Sequence, residues 1–165
     1  MLNIKSFLKF SLFFLVIGSV AQAEVSPIGL RVDQVSKSIT EGGKKTVKRS
    51  LTVHIANNSS ETQTMTAKYI LFGRDAATGD ILVMDSGDQS ATVKSRSTEL
   101  IETTAATAVF NEAKMTANKR VPASGAKFVG YGVRVMSGEK VVAEAYDPAS
   151  LKESWGKAVQ APKQK

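Results

Sequence analysis

The chain has 165 residues, with 22 lysines and arginines against 15 acids, one histidine and no cysteine. That length allows one ordinary domain with a core of its own. The missing thiols exclude disulfides, a thiol nucleophile and lipid attachment through cysteine, and one histidine without cysteines cannot supply a tetrahedral zinc set.

Residues 1–23 read as a secretory signal peptide. Lys5 and Lys9 make a positive start without any acid, and Phe10 to Val20 is an apolar run of eleven residues. Ala21-Gln22-Ala23 places small residues where a signal peptidase reads them, so cleavage before Glu24 is expected. A spanning helix needs about 20 apolar residues, and lengthening the run would draw in both lysines, which disfavours an uncleaved anchor. Loss of Lys5 and Lys9 leaves 20 basic against 15 acidic residues, a net +5. The expected location is therefore periplasmic or secreted. Nucleic acid is not an expected partner there, and the partners that suit the charge are an envelope protein or an anionic polymer. The plain alternative is that scattered lysines keep the domain soluble.

From residue 24 the chain reads as strands. Ile28, Leu30 and Val32 alternate with Gly29, Arg31 and Asp33, the period of a half-buried strand. Thr40 to Lys45 is a polar turn around Gly42-Gly43. Val47, Leu51, Val53 and Ile55 form the next inward row, with Lys48, Ser50, Thr52 and His54 opposite, and Asn57-Asn58-Ser59-Ser60 breaks it. Met65, Ala67, Tyr69 and Leu71 form another row, closed by a turn over residues 74–80. Ile81 to Met84 reads as a short strand ended by Asp85-Ser86-Gly87-Asp88, with weaker strand material around Val93 and Leu100-Ile101. Residues 105–123 show no clear period, and a short helix around Phe110 to Met115 fits there. Val129, Tyr131, Val133 and Val135 alternate strongly. Ser137-Gly138-Glu139 then turns the chain into a partner strand over residues 140–146. Asp147 is placed to cap a helical tail, with Pro148 at its first position.

About seven strands without a crossover helix predict an all-β fold, a single antiparallel β-sandwich over residues 24–147 with Val53, Tyr69, Val133 and Val135 in its core. Residues 148–165 are expected to form a short helical, partly disordered tail. The stretch Phe128 to Leu151 (FVGYGVRVMSGEKVVAEAYDPASL) resembles the closing hairpin of immunoglobulin-like or fibronectin type III-like sandwiches of small exported bacterial proteins. The resemblance implies an immunoglobulin-like sandwich and no particular activity. The chain departs from true immunoglobulin domains in lacking the cysteine pair and a core Trp, its sole Trp155 lying in the tail.

Residues suited to catalysis are few. His54 falls opposite Val53 and Ile55 and should face solvent, away from any buried triad, and no G-x-S-x-G elbow is present. Asp75, Asp80, Asp85 and Asp88 lie at turns, where carboxylates could bind calcium, but they lack a calcium-loop spacing and also suit ordinary turns. Glu99 and Glu102 have no fixed separation as a glycosidase pair. The expectation is a non-catalytic exported protein without cofactor or metal that acts through surface contacts. The alternative is an accessory module or cryptic hydrolase using loop carboxylates. Gly130 and Gly132 leave one strand face bare, either for a ligand or for a covering aromatic such as Tyr146 or Phe128. Lys44, Lys45, Lys48 and Arg49 form a basic group at a hairpin tip and on the exposed face beyond it. Leu151, Trp155 and Val159 share one face of the tail helix, which could cover the sandwich or stay exposed as a partner contact.

Overall fold

The computed structural model describes residues 27–117 and 119–160. The expected signal peptide, its cleavage site and the frayed last residues fall outside that range. Strands β1 (Ile28–Glu41) and β2 (Lys44–Asn57) form a hairpin in unbroken register. Its loop is only Gly42-Gly43, both in the left-handed region at φ 56 and 79°. A two-residue turn of this type needs positive φ twice, and glycine adopts it without a Cβ clash. Strands β3 (Gln63–Asp75) and β4 (Ile81–Val93) form a second hairpin, with a register shift at Leu71/Phe72. The far edge of β2 is shared: β5 (Ser97–Glu102) pairs with Thr52–Asn57 and β6 (Ala106–Asn111) with Lys44–Arg49.

A small hairpin, β7 (Lys114–Thr116) and β8 (Lys119–Val121), precedes β9 (Ser124–Ser137). The start of β9 pairs with β6, and the rest lies between β3 and β10 (Lys140–Asp147). Every pairing is antiparallel. The result is one layer of β1, β2 and β5/β6 facing another of β10, β9, β3 and β4, with β9 passing from one to the other. Helix α1 (Leu151–Gln160) follows.

Between the layers the alternating rows meet. Leu51, Val53 and Ile55 pack against Met65, Ala67, Tyr69, Leu71, Val133 and Val135. The four predicted core residues are all buried, and each of the three valines contributes about 1.5–3 kcal/mol. Asn57 is the polar exception, fully buried. Its amide donates to Glu61 O (2.7 Å) and Val93 O (3.1 Å) and accepts from Ser59 N (3.0 Å) and Ser59 Oγ (2.7 Å). An amide so fully bonded ties the end of β2 to that of β4 without a desolvation penalty.

Several local expectations are corrected. The short helix around Phe110 to Met115 is absent: residues 106–111 are β6 and residues 114–116 are β7. Ala106, Ala108 and Phe110 do alternate inward, but two small residues among threonines gave a weak signal. Asp85-Ser86-Gly87-Asp88 is not a turn. It lies within β4, where Gly87 pairs opposite Tyr69, and an edge strand tolerates polar residues that a central strand would not. The main sheet therefore has eight strands, beyond the seven expected. Asp147 does not cap the tail helix. It is the last residue of β10, the peptide bond to Pro148 is cis, and the helix begins at Leu151.

Candidate functional site: a cationic cleft at the seam of the layers

The inward row of β2 continues past Leu51 toward the hairpin tip as Arg49, Val47 and Lys45. There β2 pairs with β6, and the end of β6 pairs with the start of β9. β6 contributes Ala108 and Phe110, and the first residues of β9 contribute Ala126, Lys127 and Phe128. These side chains, with Glu112 at the rim, line a cleft of about 230 Å³. Its walls are apolar because Ala108, Phe110 and Phe128 extend the core outward. Its cations are held over those walls: the Arg49 guanidinium lies 4.9 Å from the centre of the Phe128 ring, and the Lys127 ammonium 3.7 Å from that of Phe110. Cation–π contacts of this kind contribute about 0.5–2 kcal/mol and fix the cation in place.

Arg49 is the unusual member. Its Nε–H is buried and has no hydrogen-bond partner. Burial lowers its pKa from the ordinary arginine value, opposed by the charge of Asp147. An arginine does not lose its proton under such a shift, so the direction marks a partly desolvated cation. Among the described residues neither Arg49, Lys45 nor Lys127 forms an ion pair. A buried donor left unbonded costs about 1–3 kcal/mol. The arrangement suits binding of a carboxylate, phosphate or sulfate. Glu112 is the one carboxylate among the lining residues.

The basic group expected at the hairpin tip is thus divided. Lys45 and Arg49 face the cleft, whereas Lys44 and Lys48 occupy the opposite face of β2. The placing of Arg49 on the exposed face is corrected, and the reason was present in the sequence: Arg49 is in phase with Val47 and Leu51. Lys127, Phe110 and Phe128 were not anticipated. The pairing of Phe110 with Gly125 brings β9 to β6, and no local pattern announces that contact.

Leu151 and Trp155 are buried, at 4% and 5% exposure, in a second core with Ile70 and Phe72 on the outer side of β3 and β9. The side chain of Val159 lies outside the described residues. The face left bare by Gly130 and Gly132 is where this helix sits. A Cβ at Gly130 would stand 1.9 Å from Asp147 O, and one at Gly132 2.7 Å from Trp155 and 2.9 Å from Tyr146. Of the two dispositions open for the tail, the structure has it docked on its own domain.

A polar clamp holds it there. Arg134 stacks 4.9 Å from the Trp155 ring and donates from Nε to Tyr146 Oη (2.5 Å), and Glu144 bonds Tyr146 Oη and Lys152 Nζ. The Lys152 hydrogen bond, aided by Tyr146, draws the Glu144 carboxyl below its ordinary value. Burial raises the Tyr146 phenol.

The remaining candidates serve local structure. His54 lies on the outer face, its Nε2 2.9 Å from Asp33 Oδ2, and Arg31 also grips Asp33 (3.0 Å). Those bonds, Arg31 first, lower the Asp33 pKa. Asp75 Oδ1 accepts from Ala77 N (2.7 Å) and Thr78 N (2.9 Å), an Asx turn. Asp85 Oδ2 accepts from Tyr69 Oη (3.2 Å) and Thr104 Oγ1 (3.1 Å). Among the described residues no three His, Asp or Glu side chains gather as a metal would require. Glu99 and Glu102, three apart on β5, fall on opposite faces. No described helix is long and apolar enough to cross a membrane.

No protein-family model matches the chain, and no curated protein matches it. Among solved structures it is similar to a Northeast Structural Genomics Consortium target, SoR45 (13% identity, TM-score 0.38, 73% of this chain and 85% of that one). It is also similar to a Bordetella pertussis structure given the name ApaA (11%, 0.39, 74% and 90%). A third is a crystal structure from Akkermansia muciniphila (14%, 0.36, 82% and 78%). At these TM-scores and identities they do not assign the chain to a family.

Proposed function

We propose that this is an exported, non-catalytic binding protein whose seam cleft takes an anionic group of an envelope polymer. The observation that carries the reading is Arg49: a partly buried guanidinium with an unbonded Nε–H, held over Phe128 beside a second unpaired cation, Lys127. Export is supported by the basic start, the apolar run and the Ala-x-Ala site of residues 1–23. An immunoglobulin- or fibronectin-type sandwich belongs to the same proposal, supported by the two antiparallel layers and the closing hairpin of β9 and β10.

Isothermal titration with glucuronate oligomers and with glycerol-phosphate oligomers tests the reading, with neutral dextran as control. An anionic oligomer should bind and dextran should not. Arg49→Gln with Lys127→Gln should weaken binding at least tenfold, about 1.4 kcal/mol. Lys44→Gln with Lys48→Gln, the same loss of charge on the other face, should change it little. Equal losses from the two double variants would reduce the effect to diffuse charge and reject the cleft.

A further inference from the structure

The sheet edges are guarded unequally. β10 is short and bulged between Val141 and Ala143, and the β4 ladder shifts register at Leu71/Phe72. Bulges of this kind discourage edge-to-edge pairing. β1 has no such device. Its register with β2 is unbroken over 14 residues, it contains no proline, and residues 34–41 are exposed throughout, with Val35 at 49% and Ile39 at 64%.

Hydrogen-bond parity shows which groups that edge presents. Asn58 N donates to Pro27 O (2.7 Å), and Thr103 N donates to Leu51 O on the other side of β2 (2.9 Å). Odd-numbered residues of β1 therefore turn their backbone groups toward β2. By alternation Gln34, Ser36, Ser38 and Thr40 turn theirs outward, and among the described residues no strand pairs with them.

We propose that residues 37–41 of β1 pair antiparallel with the same segment of a second copy, about a two-fold axis at Ile39. Charge selects the register. Centred on Ile39, Lys37 of each copy faces Glu41 of the other, Ile39 meets Ile39, and the outward-turned Ser38 and Thr40 pair by hydrogen bonds. Centring on Lys37 would oppose two lysines, and centring on Ser38 would set Val35 against Glu41. The isolated chain also contains a pairing that the second copy improves: Lys37 stands directly across from Lys48, a destabilising like-charge pair. Glu41 of the second copy would neutralise it. An edge this short buries less than the roughly 1,200 Å² of stable complexes, so the dimer is weak and concentration-dependent.

Sedimentation of the purified protein, expressed from its full coding sequence, tests this from micromolar to millimolar concentration. The wild type should shift from monomer toward dimer. Lys37→Glu and Glu41→Lys should each remain monomeric, since each opposes like charges across the axis. An equimolar mixture of the two variants should dimerise, because both facing pairs become opposite in sign. Lys37→Glu also replaces the Lys37–Lys48 repulsion with attraction, so its loss of dimer cannot be ascribed to unfolding. A wild type that stays monomeric throughout, or variants that dimerise alone as well as mixed, would overturn the proposal.

Discussion

Two neighbouring residues on β9 have opposite duties. Val133 points between the layers and is completely buried. Val133→Asp places an unpaired charge there and should cost more than about 4 kcal/mol, enough to unfold a marginal domain. Arg134 points outward, and strand parity alone makes Arg134→Asp nearly harmless. The structure revises that expectation, because Arg134 stacks on Trp155 and bonds Tyr146. Arg134→Ala should cost about 1–3 kcal/mol, the sum of a partly buried cation–π contact and a hydrogen bond. A thermal melt of the two variants should place Arg134→Ala between wild type and Val133→Asp. A melt of Arg134→Ala indistinguishable from wild type would contradict the clamp.

At the scale of the element, helix α1 is ten residues long, too short to persist alone in water. It exists because Leu151 and Trp155 cover Ile70, Phe72 and the two glycines. Ending the chain after Ala149 should lower the melting temperature sharply, since losing a buried Trp contact alone is worth about 3–5 kcal/mol. The clamp also gives the helix a pH dependence. The folded pKa of Glu144 lies below its ordinary 4.5, with the Lys152 hydrogen bond as the main cause. Its contribution is therefore present above the ordinary value and lost as pH falls through the lowered one. Trp155 fluorescence should change on acidification below pH 4.5, and Glu144→Gln should remove that step. The elements themselves were unequally legible in the sequence. Strands with large inward residues, such as Val53 and Ile55, declared themselves. β6 did not, because its inward row is Ala106, Ala108 and Phe110. The helix stripe was legible, but its landing site became definite only through the long-range pairing of β3 with β9. Likewise the phase of Arg49 was readable, while the approach of Lys127 and Phe128 depended on β9 changing layers.

At the scale of the whole molecule, the proposal is an exported, cysteine-free domain with an anion-binding cleft where β6 meets the start of β9. Intact mass of the protein recovered from a bacterial periplasm should correspond to a chain beginning at Glu24, and a mass retaining Met1 to Ala23 would contradict the reading of residues 1–23. The central claim, that the cleft awaits an anion, is tested most directly by proton–nitrogen NMR of the Arg49 Nε–H during titration with a glucuronate or glycerol-phosphate oligomer. Its unbonded donor should gain an acceptor, so the resonance should move downfield and saturate, together with the amides of Phe110, Lys127 and Phe128. The amides of Lys44 and Lys48 should scarcely move. An Arg49 Nε–H resonance that stays fixed while either oligomer binds would contradict the account.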